Sequence, residues 1–165
     1  MSKRVYTLEV YIVEGMMTED FMKANSTVSR TIEIRGNQTL EQLHRAIFKA
    51  FDRYDEHWYE FQFGDRPHDP NGRRYVLPPE FEEPISGPNE PAGDVTDTMI
   101  DSLGLEVDQV FGYWFDFGDD WYHKIDVVAI GDPTPKVRYP RVTKRTGDSP
   151  PQYVDWDGEE SEDDE

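Results

Sequence analysis

Asp116, Asp119, Asp120 and His123 fall within eight residues of one another, and His57 stands in a separate aromatic stretch. Carboxylates and imidazoles in such a group can bind Zn²⁺, Mn²⁺ or Fe²⁺, or act as general acid and base. His57, Asp119 and His123 are accordingly the candidate metal ligands of a metal-dependent hydrolase. The surrounding pattern opposes their convergence. Asp116 is out of phase with Phe115 and His123, so a strand directs it to the other face. His123 lies between Trp121 and Ile125 on the apolar face, where a buried histidine bonded to a carboxylate serves structure alone. Gly118-Asp119-Asp120 is also good turn chemistry without any ligand. The chain lacks a Walker phosphate loop, G-x-G-x-x-G, H-E-x-x-H and G-x-S-x-G. No catalytic residue is therefore assigned and no cofactor is expected.

The element that must position these groups is an aromatic β-hairpin over 109–130. Phe111, Tyr113, Phe115 and Phe117 share one face of its first strand, and Trp121, His123, Ile125 and Val127 one face of its second. A three-residue loop, Gly118-Asp119-Asp120, sets Phe117 opposite Trp121, Phe115 opposite His123, Tyr113 opposite Ile125 and Phe111 opposite Val127. A two-residue loop would turn the buried face outward.

Residues 5–13 alternate, with Tyr6, Leu8, Val10 and Ile12 in phase, and predict a first strand. The connection from Glu14 to Thr27 carries Met16-Met17 and Phe21-Met22 and fits either a brief helix or a wide loop. Val28 to Arg35 predicts a second strand whose apolar face Arg30 interrupts. Thr39 with Gln42 makes a capping box for a helix from Leu40 to about Arg53. Leu40, Leu43, Ile47, Ala50 and Phe51 form its apolar stripe, and His44 at the stripe's edge is expected to pack. His57 to Phe63 predicts a third strand and Arg73 to Leu77 a short fourth. The stretch 64–93 holds seven of the chain's twelve prolines and is expected to be a long loop. Asp94 or Thr96 can cap a short helix that ends at Gly104.

The 165 residues suit one domain over 1–154, followed by a disordered acidic tail over 155–165. The formal net charge is −18, and without the tail's eight acids 27 acids still face 17 bases. A body that acidic repels phosphate backbones, so direct nucleic-acid binding is disfavoured and an acidic mimic of nucleic acid is one alternative. The basic run Lys136, Arg138, Arg141, Lys144 and Arg145 is expected to pair with the chain's own tail. Without cysteine there are no disulfides, thiolate metal sites or Cys nucleophiles. No apolar run approaches the ~20 residues of a membrane span, and Met1 to Tyr6 leads directly into a strand pattern. A cytoplasmic location without membrane attachment is expected.

Phe115-Asp116-Phe117-Gly118-Asp119-Asp120-Trp121-Tyr122-His123 resembles the Y-D-F-G-D-x-W-x-H signature of the plasmid ORF-3-like family, named after a reading frame on a root-inducing plasmid. Val28-Ser29-Arg30-Thr31-Ile32 is similar to its I-W-R-R-I strand, and Leu40 to Ile47 to its L-x-x-L-H-x-x-I helix. His57-Trp58-Tyr59-Glu60-Phe61 resembles its H-L-H-x-F strand, and Tyr139-Pro140-Arg141 its Y-P-x segment. The resemblance implies an α+β domain: a mixed, mainly antiparallel sheet, one long helix packed on it, and a β-grasp-like start. The family is mobile-element-associated and has no established activity. Its Pro-Pro-Glu-Asp and Gly-Gly pattern is replaced here by Ser149-Pro150-Pro151-Gln152-Tyr153, which keeps the prolines and lacks the carboxylates. A resolvase label carried by some relatives does not suit this chain, because Ser2, Ser26 and Ser29 lack an arginine-rich, DNA-binding setting.

The leading expectation is a non-enzymatic module that binds a protein partner, with Trp58, Asp116, Asp119, Asp120 and Trp121 as contact candidates.

Overall fold

The computed structural model describes residues 4–69, 71–78 and 91–153. Strand β1 (Val5–Glu14) turns Tyr6, Leu8 and Val10 into the core, as its alternation requires. The connection after it forms helix α1 (Glu19–Ala24), begun by Thr18, whose hydroxyl accepts from the Phe21 N–H. Strand β2 (Ser29–Arg35) pairs antiparallel with β1 and leads into helix α2 (Leu40–Ala50). The Thr39–Gln42 capping box forms in both directions. Helix α2 ends three residues short of the expected Arg53, because the backbone turns left-handed at Asp52, with φ 58°.

Strands β3 (Tyr59–Phe63), β4 (Arg73–Val76), β5 (Gly93–Asp94), β6 (Val110–Phe115), β7 (Trp121–Gly131) and β8 (Arg141–Thr146) complete one mixed sheet. Its order is β5-β4-β3-β6-β7-β1-β2-β8, antiparallel throughout except for the β4–β5 pair. The fold is α+β, with few helices and a mostly antiparallel sheet. A 3-10 helix (Ile100–Leu103) replaces the expected capped helix. Asp94 closes a turn on the Thr96 and Asp97 N–H groups instead, and Gly104 at φ 67° ends the 3-10 helix. Strand β8 was not visible as a strand in the sequence, because its basic residues show no apolar alternation. It forms the sheet edge beside β2, with Arg141 Nε donating to Glu33 at 2.7 Å.

Helix α2 lays Leu40, Leu43, Ile47 and Ala50 onto the sheet, where Leu8, Ile32, Phe61, Phe111, Tyr113 and Trp121 complete the core. Arg30, the residue that interrupts the apolar face of β2, is buried too. Its guanidinium donates to the carbonyls of Ala50, Ser29 and Thr146 and lies 4.9 Å from the Phe51 ring. A cation is tolerated there because its donors are met.

The β3–β6 half of the sheet is covered on its second face as well. Glu60 and Arg74 make a buried ion pair at 3.2 Å, and Gln62 donates to Glu60. Pro67 and His68 lie over Gly112, where a side chain would collide with the Pro67 carbonyl. Burial there pushes the His68 imidazole down to about 4.

The hairpin has the expected faces and a different register. Phe115 pairs with Trp121, Tyr113 with His123 and Phe111 with Ile125. The loop is therefore five residues, Asp116 to Asp120, and the aromatic rows are offset by two from the predicted pairing. A slip of two keeps every side chain on its face. The cause is local. Asp116 and Asp120 both adopt left-handed backbones, with φ 66° and 56°, and Asp120 N–H donates to the Asp116 carbonyl. Phe117 thereby leaves the core row and packs on Trp114, ring centroids 4.3 Å apart.

Among the described residues no helix is long and apolar enough to cross a membrane. The expected acidic tail, and residues 70 and 79–90 of the proline-rich stretch, lie outside the described residues.

Candidate functional site

The left-handed turn at Asp116 changes where its carboxylate goes. Strand alternation predicts the face opposite Phe115 and His123; the structure swings Oδ2 to 3.4 Å from His57 Nε2. Oδ1 accepts from the Gly118 and Asp119 N–H groups, and the Asp116 N–H donates to the Trp58 carbonyl. Asp116 is thus buried and fixed from three sides. Asp119 lies nearby. Partial burial and the Asp116 charge push its carboxyl up, and His57 pulls the other way. Asp120 accepts from the Trp114 indole N–H at 2.9 Å.

His57 meets a second group that no local pattern announced. Its Nε2 stands 2.5 Å from the Tyr153 hydroxyl, and that hydroxyl donates to Asp55 at 2.5 Å. The Asp55 bond holds the Tyr153 proton well above the usual phenol range. Tyr153 reaches this place because segment 149–153 is tied to the loop after α2. Gln152 Oε1 accepts from the Tyr54 and Asp55 N–H groups, and its Nε2 donates to the Asp55 carbonyl. Arg53 donates to the Pro150 carbonyl, and Ser149 to Asp52. An amide at position 152 supplies both a donor and acceptors, which a carboxylate cannot.

His44 is buried and stacked on Tyr59, centroids 3.7 Å apart. Its Nδ1 lies 2.6 Å from the Tyr113 hydroxyl and its Nε2 2.9 Å from Glu56. Burial lowers the imidazole and raises the Tyr113 phenol, so both are neutral near pH 7. The consistent assignment has Tyr113 donate to Nδ1 and Nε2–H donate to Glu56. This carboxylate–imidazole–hydroxyl chain resembles a nucleophile relay, but the fully buried Tyr113 hydroxyl leaves no room for a substrate.

His123 does not join the surface group. It lies in the core against Tyr113 and Phe51, with Nδ1 3.1 Å from the carbonyls of Tyr113 and Trp121. Burial, then the nearby Arg53, push it down to about 3. The expected trio therefore splits: His57 pairs with Asp116 and Asp55, Asp119 feels the His57 ring only electrostatically, and His123 is structural. Among the described residues no three His, Asp or Glu side chains converge as a metal site. Trp121 is fully buried, with the Arg53 guanidinium 4.3 Å from its ring, and so offers no contact surface. Trp58 is 39% exposed, and Asp119 and Asp120 are partly exposed.

Trp58 borders an open cleft of about 520 Å³ whose walls include Glu41, Arg45, Glu56, His57 and Leu77, with His44 and Tyr59 beneath. Glu41 and Glu56 went unnoticed in the sequence. The signal for Glu56 was present, because Asp55-Glu56-His57-Trp58 joins acids to an aromatic out of phase with the Tyr59, Phe61, Phe63 row. Tyr153 carried no signal, standing 96 positions from His57.

The crystal structure of a protein of unknown function, MM3350 from Methanosarcina mazei Go1, has a similar fold. The TM-score is 0.64 at 23% identity, covering 88% of this chain and 71% of that one. No curated protein matches the chain. The family model described as plasmid pRiA4b ORF-3-like protein matches residues 20–160, a span that takes in the capping box, His57 and the strand β3 after it, the aromatic hairpin and segment 149–153. The chain belongs to the plasmid pRiA4b ORF-3-like family.

Proposed function

We propose that the protein is a non-enzymatic interaction module that seats a basic peptide segment of a partner in the Trp58 cleft. The observation that carries this reading is the pairing of exposed Trp58 with Glu56, whose carboxylate is held by a neutral imidazole. A lysine or arginine entering there meets a fixed carboxylate and an aromatic face together, which favours cation–π contact. The Glu56 position is set in advance by His44, so less ordering is needed on binding. The net charge of −18 steers a basic partner toward the surface.

The test is fluorescence anisotropy with a labelled Arg/Lys-rich peptide and the full chain at low salt. Trp58→Ala and Glu56→Gln are each expected to weaken binding about tenfold, equivalent to ~1.4 kcal/mol. Equal binding by all three proteins, or equal binding of an acidic control peptide, removes the cleft from the interaction.

A further inference from the structure

On the other flank of α2, which shares Arg45 with the cleft, the charged border residues are cations alone. Arg45 and Lys49 of α2 and Arg141 and Arg145 of β8 border a groove of about 500 Å³, with Ala46 and Val142 among its apolar lining. No acid lines it, in a chain with 35 acids and 17 bases. Arg45 and Arg141 each hold one rim carboxylate, Glu41 at 3.3 Å and Glu33 at 2.7 Å. Arg145 donates to the Ala50 carbonyl, and neither it nor exposed Lys49 has a carboxylate partner among the described residues. The groove thus holds cationic charge that its own walls do not neutralise.

We propose that this groove binds the chain's own acidic C-terminal segment, Asp155–Glu165. Three observations converge on that occupant. Tyr153 is anchored to Asp55 and packs beside Tyr54, just past the C-terminal end of α2, the end that carries Lys49 and abuts Arg145. Twelve residues follow Tyr153, eight of them acids, with Trp156 among them. Extended, they reach up to about 40 Å, whereas the 11-residue α2 is about 16 Å long. The acids suit the four cations, and the Trp156 ring suits the apolar floor. Tethering brings the segment to an effective concentration of order millimolar, so weak and screened ion pairs suffice to hold it. The segment is then an internal competitor for any carboxylate- or phosphate-rich ligand of the groove, and salt releases it.

Zero-length carbodiimide cross-linking of the full chain tests this, because it joins a lysine amine only to a carboxylate in contact with it. At roughly 20 mM salt a tryptic product linking Lys49 to the segment after Arg145 is expected, falling about fivefold or more at roughly 500 mM. Arg45→Glu, an exposed change, is expected to reduce the Lys49 product severalfold while Lys49 stays available. Tail products confined to Lys124, Lys136 or Lys144 overturn the proposal. A Lys49 product indifferent to both salt and Arg45→Glu overturns it equally.

Discussion

On one flank of α2, Glu41, Arg45 and Glu56 border a cleft beside exposed Trp58, with neutral His44 linking the cleft to the core. On the other flank, Arg45, Lys49 and the β8 arginines border a groove without an acid, and its floor is aliphatic. The two flanks share a helix of 11 residues and differ in what stands behind their charges. The cleft's Glu56 is wired through His44 to Tyr113 in the core, whereas Lys49 stands on the surface with little behind it. Glu56 on one flank is therefore coupled to the core, and Lys49 on the other is nearly free of it.

The largest test of that contrast is His44→Ala. Loss of a ring stacked on Tyr59, with the Tyr113 hydroxyl left unpaired, is expected to cost about 3 kcal/mol. Thermal melting should show a midpoint lowered by roughly 6–12 °C. A fall under about 2 °C would mean that the cleft is not coupled to the core.

Acid should act on the same coupling. His44 and His123 are both held below the ordinary histidine value in the folded chain, His123 at about 3, so the unfolded chain takes up their protons first. Stability contributed by neutral burial is then complete above about pH 6.5 and declines as pH falls below it. Between pH 6.5 and 5, His123 alone is expected to remove about 2 kcal/mol, with His44 acting in the same direction. Urea unfolding at several pH values reads this loss. A profile flat over that window would place protonated imidazoles inside the folded core and contradict their burial.

Trp58→Ala separates binding from folding. With 39% of Trp58 exposed, truncation should change stability by about 1 kcal/mol or less, yet weaken capture of a basic peptide about tenfold. A large melting shift without an affinity change would reassign Trp58 from surface to scaffold. The smallest effect is expected for Lys49→Glu. Reversing one exposed charge near the C-terminus of α2 should cost about 0.5 kcal/mol through the helix dipole. A loss near that of His44→Ala would erase the difference between the flanks.

Much of this architecture could be read from local patterns. The alternation of β1 and β2 and the Thr39–Gln42 box with its apolar stripe state their elements directly. The hairpin's faces were legible because alternation survives a slip of two residues, and for the same reason its pairing was not. Asp116 shows the limit most clearly. Its residue type permits a left-handed backbone, but only the closed loop, with its carboxylate bonded to two N–H groups, selects that conformation. Strand β8 was hidden because an edge strand exposed on both sides has no apolar period to display. Burial of Glu60 and Gln62 was hidden because the Pro67–His68 cover comes from outside their strand.

By itself, the sequence determined the composition-level exclusions, the main strands and helix, the core faces and the family resemblance. These depend on side-chain periodicity and capping, which act over a few residues. Tertiary structure alone decided that His57 meets Tyr153 and Asp116, and that α2 separates the Trp58 cleft, with two acids and Arg45 in its walls, from a groove bordered by four cations. Each of those outcomes joins segments far apart in the chain, and the cost of closing such loops is met only when the whole core forms.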